Sequence, residues 1–158
     1  MEYLPLFGSV LLIHLLAVMS PGPDFIMALR NSLTYSRKTG IYTALGFGIG
    51  IGVHVVYCVL GIVSLVSKTS DIDVGKEDNL SDISPLKAIR IGFLTNVLNP
   101  KATLFFLSLF TFVIGPDVPS SVSWLLGIMM IVNTSIWFSL VAIFFTQSRI
   151  RTIFNNYQ

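Results

Sequence analysis

The chain has 158 residues, of which 53% are hydrophobic and only 11% are charged, whereas soluble domains carry roughly 25% charged residues. Its net charge of +2 gives no indication of nucleic-acid binding, and its single cysteine, Cys58, excludes an internal disulfide and membrane dithiol-shuttle chemistry. The composition therefore predicts a protein whose surroundings are the lipid bilayer.

Four apolar segments, each long enough to cross a bilayer, occupy most of the chain. They cover about residues 4–29, 41–66, 91–114 and 122–145. The first follows no basic region and is longer than the apolar core of a signal peptide, so we expect it to be retained. The sequence thus predicts an all-α fold, a polytopic transmembrane helical bundle that forms one membrane domain over residues 1–158.

The first apolar segment is interrupted by five residues that disfavour a membrane helix: Ser20, Pro21, Gly22, Pro23 and Asp24. The two prolines remove backbone donors, and Gly22 gives the chain freedom between them. Asp24 brings a carboxylate to membrane depth, where it costs roughly 2.5–3.5 kcal/mol unless protein or water surrounds it. Such an interruption is typical of a transport pathway.

The second apolar segment is rich in glycine, and four of its glycines form two overlapping GxxxG spacings: Gly46, Gly48, Gly50 and Gly52. This spacing lets another helix approach closely. Two interpretations stay open, a face for helix packing and a surface on which helices slide or hinge.

The third apolar segment contains a second interruption, Asn96 followed by Asn99, Pro100 and Lys101. Paired broken helices in the two halves of a chain are the best sequence indication of a transporter's central site. Asp24 and Lys101 are the only charged residues inside the apolar segments, away from their edges. They could form a structural ion pair, or each could bind the opposite end of a zwitterion.

Six residues beside the two breaks are therefore candidates for a substrate or proton pathway: Asp24, Lys101, Asn96, Asn99, Ser20 and His14. His14 could relay protons, and the alternative is a buried neutral histidine bonded to a backbone carbonyl. The same two interpretations apply to His54.

The charged residues between the segments predict the topology. Residues 30–40 carry Arg30, Arg37 and Lys38, so the positive-inside rule places this link in the cytoplasm and the N-terminus outside. Four full spans would then leave the later basic residues, at positions 87, 90, 149 and 151, outside. One extra crossing within residues 67–86 would correct this, but the linker 67–90 is too polar to supply it. Either one segment is re-entrant or a helix of the architecture is lacking.

Signatures of an enzyme are absent from the sequence. A membrane aspartyl protease needs two carboxylates within its apolar segments, where only Asp24 is found. His14 and Ser20 are six residues apart, which on a helix separates them by about 240°. No HExxH motif or paired Cys/His spacing indicates a metal site. The sequence predicts a protein that is not an enzyme.

Three stretches together resemble the LysE/RhtB family of amino-acid exporters. They are residues 14–25 (HLLAVMSPGPDF), residues 40–52 (GIYTALGFGIGIG) and residues 92–106 (GFLTNVLNPKATLFF). The resemblance implies export of a small-molecule substrate, an amino acid or its derivative, across the cytoplasmic (inner) membrane. It further implies that a proton gradient drives export and that no organic cofactor takes part.

The chain departs from that family in two places. Members usually have six spans, including a helix with a Gly-Ala-x-Tyr-Leu pattern before the GFLxNxLNPK region and a final glycine-rich helix; neither pattern is present here. Residues 67–86 stand where the former is expected. The resemblance leaves two alternatives: an active exporter, with a homo-oligomer completing the pathway, or a non-transporting remnant or structural membrane protein that has lost two helices.

The resemblance also gives roles to the two buried charges if the chain transports. Asp24 is expected to bind the substrate ammonium or a coupling proton. Lys101 is expected to bind the substrate carboxylate, or Asp24 when the site is empty.

Overall fold

The computed structural model describes residues 2–61 and 82–146, and within these ranges it contains helices and no strand. The α-helices are α1 (Leu4–Met19), α2 (Pro23–Thr34), α3 (Arg37–Val59), α4 (Pro85–Val97), α5 (Pro100–Ser108) and α6 (Ser120–Phe145). A π-helical segment, Leu109–Ile114, continues α5 as far as the turn at Gly115. The predicted all-α class is confirmed.

Two of the predicted spans are bent at their prolines. α1 and α2 meet at an angle of 59°, and α4 and the α5–π-helical unit meet at 57°. Pro23 and Pro100 each begin the second half, a position where the missing N–H has no helical acceptor to lose. α3 and α6 are each long and apolar enough to cross a membrane, so the described residues hold up to four spans. The prediction of two proline-broken helices is confirmed.

Two predicted links are shorter than expected. α2 continues to Thr34 and α3 begins at Arg37, so the link predicted at residues 30–40 shrinks to residues 35 and 36. The linker predicted at residues 67–90 ends before Pro85, because Pro85 begins α4 while the Ser84 hydroxyl accepts a hydrogen bond from the Lys87 N–H at 3.3 Å. The part of that linker at residues 67–81 lies outside the described residues.

α3 is the central helix, and its glycines face two different neighbours. Gly46 and Gly50 face α4: a Cβ on Gly50 would lie 2.6 Å from Oδ1 of Asn96, and one on Gly46 would overlap the backbone of α4. Gly48 and Gly52 face α6, with Ile131 near both. The two overlapping spacings thus let α3 contact one helix on each side at short range.

The contacts along α3 give the direction of its neighbours. Thr43 lies opposite Gly92 and Gly50 opposite Asn96, so α3 and α4 run in the same direction. Contacts between α3 and α6 run the other way, because Gly127, near the start of α6, packs against Val55, near the end of α3. The end of α3 and the start of α4 therefore lie at opposite ends of the bundle.

Among the described residues, one end of the bundle holds Arg37, Lys38, Lys87 and Arg90, and we call it the basic end. At this end Asp82 accepts hydrogen bonds from the Ser36 N–H at 3.4 Å and from the Thr39 hydroxyl, and Arg37 Nε donates to the Thr146 hydroxyl at 3.4 Å. The start of α3, the start of α4 and the end of α6 thus lie together. This is the charge distribution that the positive-inside rule requires with an extra crossing. Each of the two bent helix pairs, at 59° and 57°, is either one broken span or a re-entrant loop.

Candidate functional site

The two helix breaks lie side by side, and Lys101 connects them. Its Nζ atom donates to the carbonyl oxygens of Ala17 at 3.2 Å, Ser20 at 3.0 Å and Pro21 at 3.2 Å, and it also contacts the Ser20 hydroxyl. The Ala17 carbonyl would normally accept from the N–H four residues later, but residue 21 is a proline. Two groups replace the missing donor, the Ser20 hydroxyl at 2.7 Å and the Lys101 ammonium, and the ammonium lies at the negative end of the α1 dipole.

Asp24 makes the matching contact in the other direction. Its Oδ2 atom accepts a hydrogen bond from Asn96 Nδ2 at 2.7 Å, and Asn96 stands in the last turn of α4. The carboxylate is in the first turn of α2, where the helix dipole favours a negative charge. Lys101, at the second break, therefore contacts the end of α1 before the first break. Asp24, at the first break, contacts the end of α4 before the second break. In this conformation Lys101 bonds to carbonyl oxygens rather than to Asp24.

Two acceptor atoms beside this contact are buried and make no hydrogen bond of ordinary geometry, Asp24 Oδ1 and Asn96 Oδ1. The Asn99 side chain also interacts with the Asp24 carboxylate. Leaving a buried acceptor unpaired costs about 1–3 kcal/mol, more for a charged group. An ammonium group carries three donors, and a proton would turn the carboxylate itself into a donor. The arrangement is therefore suited to bind an ammonium group or a proton.

The remaining predicted residues surround the same place. Asn99 is 4% exposed and caps α5, since its Oδ1 accepts from the Lys101 N–H at 3.0 Å. His14 is bonded to α6, with Nδ1 2.9 Å from Asn133 Nδ2 and Nε2 3.4 Å from the Thr134 hydroxyl. An amide nitrogen only donates, so His14 accepts at Nδ1 and carries its proton at Nε2.

A small cavity joins these residues. Its volume is about 40 Å³, and its polar lining consists of His14, Ser20, Asp24, Asn96, Asn99 and Lys101. One water needs roughly 10–15 Å³ of such volume, so the cavity has room for a few waters. The structure thus brings all six predicted pathway residues to one small cavity.

Sequence reasoning missed one polar residue of this region, Tyr57. Tyr57 lies behind the site, with its hydroxyl 2.7 Å from Nδ1 of His54. His54 in turn has Nε2 3.1 Å from the carbonyl oxygen of Asn96, as the backbone-carbonyl interpretation of this histidine described. In the sequence, Pro100 alone indicates that the Asn96 carbonyl lacks its usual helical N–H donor. The residue that replaces this donor depends on how α3 packs against α4.

Both parts of the chain match one family model, described as LysE type translocator, over residues 15–75 and 73–158. The threonine efflux protein of Escherichia coli (strain K12) is 29% identical over 176 aligned positions, which cover 94% of this chain and 85% of that protein. The threonine efflux protein of Salmonella typhi is 28% identical with the same coverage. No solved structure matches the chain.

The alignment with the Escherichia coli protein also contains positions without a counterpart in this chain. It spans 176 positions, whereas 94% of 158 residues is about 149, so such positions number about 27 in total. The two matches to the family model meet at residues 73–75.

Proposed function

This chain belongs to the family of LysE type translocators, and from that premise we propose that it is a secondary transporter that exports amino acids or amino-acid derivatives across the cytoplasmic membrane. The family resemblance found in the sequence is confirmed. The names of the relatives, threonine efflux proteins, support an amino acid as the solute.

The observation that carries the proposal is that Asp24 Oδ1 and Asn96 Oδ1 are buried without a hydrogen bond of ordinary geometry. Asp24 and Asn96 both line the common cavity of the two breaks, where freed backbone and helix ends are suited to a zwitterion. In the proposed site, the solute ammonium donates to these two oxygens. The solute carboxylate is attracted to Lys101 and competes with the α1 carbonyls for its donors.

Coupling to protons follows from the same carboxylate. When the solute leaves, Asp24 loses its positive partner in a medium of low dielectric. A proton that enters from outside neutralises the carboxylate, and release of that proton to the cytoplasm restores the charge for the next solute. Export then uses the proton gradient without any cofactor.

The test is export of labelled amino acids, including threonine, from cells that overexpress the chain, against an empty-vector control. We expect export by the unaltered chain and a loss of at least about tenfold in Asp24→Asn, because one hydrogen bond to a charged group contributes about 1.5–3 kcal/mol. Asp117→Asn is the matched control, since it makes the same chemical change at an exposed residue of the 115–119 turn.

Two results would contradict the proposal. Export by Asp24→Asn at the unaltered rate would remove the carboxylate from the mechanism. Absence of export from the unaltered chain, when the protein is present in the membrane, would favour the non-transporting alternative.

A further inference from the structure

The carbonyl oxygen of Asn96 has lost its helical partner, because the residue four positions later is Pro100. Two groups replace that donor: the Asn99 N–H at 3.0 Å and Nε2 of His54 at 3.1 Å. A carbonyl oxygen has two lone pairs, so both acceptor sites are used. At the second helix break, a side chain from the continuous helix α3 thus satisfies the carbonyl oxygen that Pro100 leaves without its helical donor.

The hydrogen bonds of His54 fix its tautomer. A carbonyl oxygen only accepts, so Nε2 of His54 carries the hydrogen and Nδ1 accepts from the Tyr57 hydroxyl at 2.7 Å. The His54 ring is 1% exposed and stacks on Phe106, with a centroid distance of 5.3 Å and an interplanar angle of 8°. The ring is therefore held at both nitrogens and on one face.

The two breaks are closed in the same chemical way. At the first break, Pro21 frees the Ala17 carbonyl, and the basic side chain of Lys101 binds it. At the second break, Pro100 frees the Asn96 carbonyl, and His54 binds it. The difference is that Lys101 also lines the solute cavity, whereas His54 acts from behind Asn96.

α3 also limits where the Asn96 side chain can lie. A Cβ on Gly50, one turn before His54, would approach Oδ1 of Asn96 to 2.6 Å and its Cβ to 2.8 Å. α3 thus meets Asn96 at two points. His54 binds the carbonyl oxygen of Asn96, and Gly50 leaves the space that the Asn96 side chain occupies.

We propose that His54 and Tyr57 are positioning residues for the solute site. They fix the backbone of Asn96 and hence the direction in which its amide meets Asp24 and the solute ammonium. Their effect on transport rests on the proposed function, whereas their effect on the geometry of Asn96 does not.

The transport test uses His54→Phe, which keeps an aromatic ring against Phe106 and removes both nitrogens. We expect the KM for the exported amino acid to rise about tenfold, as for loss of one buried hydrogen bond, with the amount of protein in the membrane unchanged. Tyr57→Phe should raise the KM less, and His54→Gln, whose amide can donate to the carbonyl, should recover part of the loss. Tyr42→Phe on the same helix is the control.

A double-mutant cycle with Asn96→Ala distinguishes positioning from a general loss of stability. If His54 acts through Asn96, then His54→Phe adds little to the KM once Asn96 is alanine. Fully additive effects on KM would overturn the proposal.

A spectroscopic test does not depend on transport. The sequence has two histidines, so ¹⁵N-histidine NMR in lipid gives two sets of signals, which His14→Phe assigns. In ¹⁵N-histidine-labelled protein we expect the Nε2–H tautomer at His54 and a moved Nδ1 signal in Tyr57→Phe. In a second sample labelled with ¹⁵N-asparagine, where Asn96→Ala assigns the Asn96 amide, we expect that signal to move in His54→Phe. The other tautomer, or an unmoved Asn96 signal, would overturn the proposal even if the chain exports. The expected signals without export would contradict only the proposed function.

Discussion

At the scale of single residues, the two charged side chains at the helix breaks make contacts that hold the backbone or a neighbouring amide. Lys101 binds three carbonyl oxygens at the end of α1, and Asp24 binds the amide of Asn96. Both residues are held at the N-terminal ends of helices that begin with proline. The side chains that would meet a zwitterion also keep the broken helices together.

The contacts of Lys101 give a prediction that separates it from an ion-pair partner. Lys101→Met removes the ammonium donor from the carbonyls of Ala17, Ser20 and Pro21, of which Ala17 keeps the Ser20 hydroxyl as a donor at 2.7 Å. Each lost hydrogen bond contributes about 0.5–1.5 kcal/mol. We expect a lower melting temperature of the purified protein, measured in detergent, and less protein in the membrane. Lys38→Met at the basic end is the control.

The double variant Lys101→Met with Asp24→Asn completes this test. A structural ion pair predicts that removing both charges restores the melting temperature. Since Lys101 binds carbonyl oxygens, we expect no restoration, and full recovery would show that the two charges stabilise each other directly.

The positions of the breaks followed from the sequence, but their partners did not. Proline and glycine restrict or free their own backbone. Pro21 therefore locates the end of α1, and Pro23 and Pro100 locate the first residues of α2 and α5, without knowledge of the fold. The contacts of Asp24 and Lys101 join residues more than 70 positions apart. These contacts depend on which helices pack together, and the spacing of residues along a single sequence does not give that information.

At the scale of helices, the glycines of α3 set the distances to α4 and α6. Gly46 meets backbone atoms of α4, which cannot move aside as a flexible side chain can. Gly52 meets only the end of the Ile131 side chain, at 3.6 Å. Glycines with the same spacing on one helix therefore differ in how much space they must leave.

Alanine substitutions at these two glycines test this difference. A Cβ at Gly46 would lie 2.8 Å from the Phe93 nitrogen and 3.0 Å from the Gly92 Cα, so we expect Gly46→Ala to destabilise the protein by roughly 1–3 kcal/mol. Gly52→Ala is the matched control and should be neutral or slightly stabilising, because alanine favours a helix. Equal melting temperatures of the two variants would contradict the packing described here.

Asp82 gives a pH-dependent prediction at the start of α3. Hydrogen bonds from the side chains of Ser36 and Thr39 hold the pKa of its carboxyl below the ordinary value. The stabilisation is therefore present above the ordinary pKa and is lost as the pH falls through the lowered pKa. Asp82→Asn should lower the melting temperature slightly at neutral pH and have no effect once the pH is below that lowered value. A difference that stays constant with pH would contradict this role.

At the scale of the whole molecule, the described helices reproduce the charge distribution that four simple spans could not. α3 and α4 start at the basic end, α6 finishes there, and the turn before Ser120 lies at the other end. From the sequence, the positive-inside rule showed that four simple spans would leave the later basic residues outside. It did not show that α3 and α4 run in the same direction, because the glycine spacing in α3 does not say which helix packs against it.

Thiol labelling tests the orientation of the bundle. In a Cys58→Ser background, we expect a cysteine at position 36 to react from the cytoplasm and one at position 120 to react from outside. Reaction of both positions from the same side would contradict the arrangement, and exchange of the two sides would show that the charge rule orients the bundle wrongly.

The crossed contacts between the two breaks have a mechanical consequence. Lys101 on α5 is hydrogen-bonded to α1, and Asp24 on α2 is hydrogen-bonded to α4, so the two broken helices cannot separate without loss of both contacts. If the cavity between them widens during transport, we expect a single concerted movement rather than two independent ones. We expect a solute that competes for both contacts to start that movement.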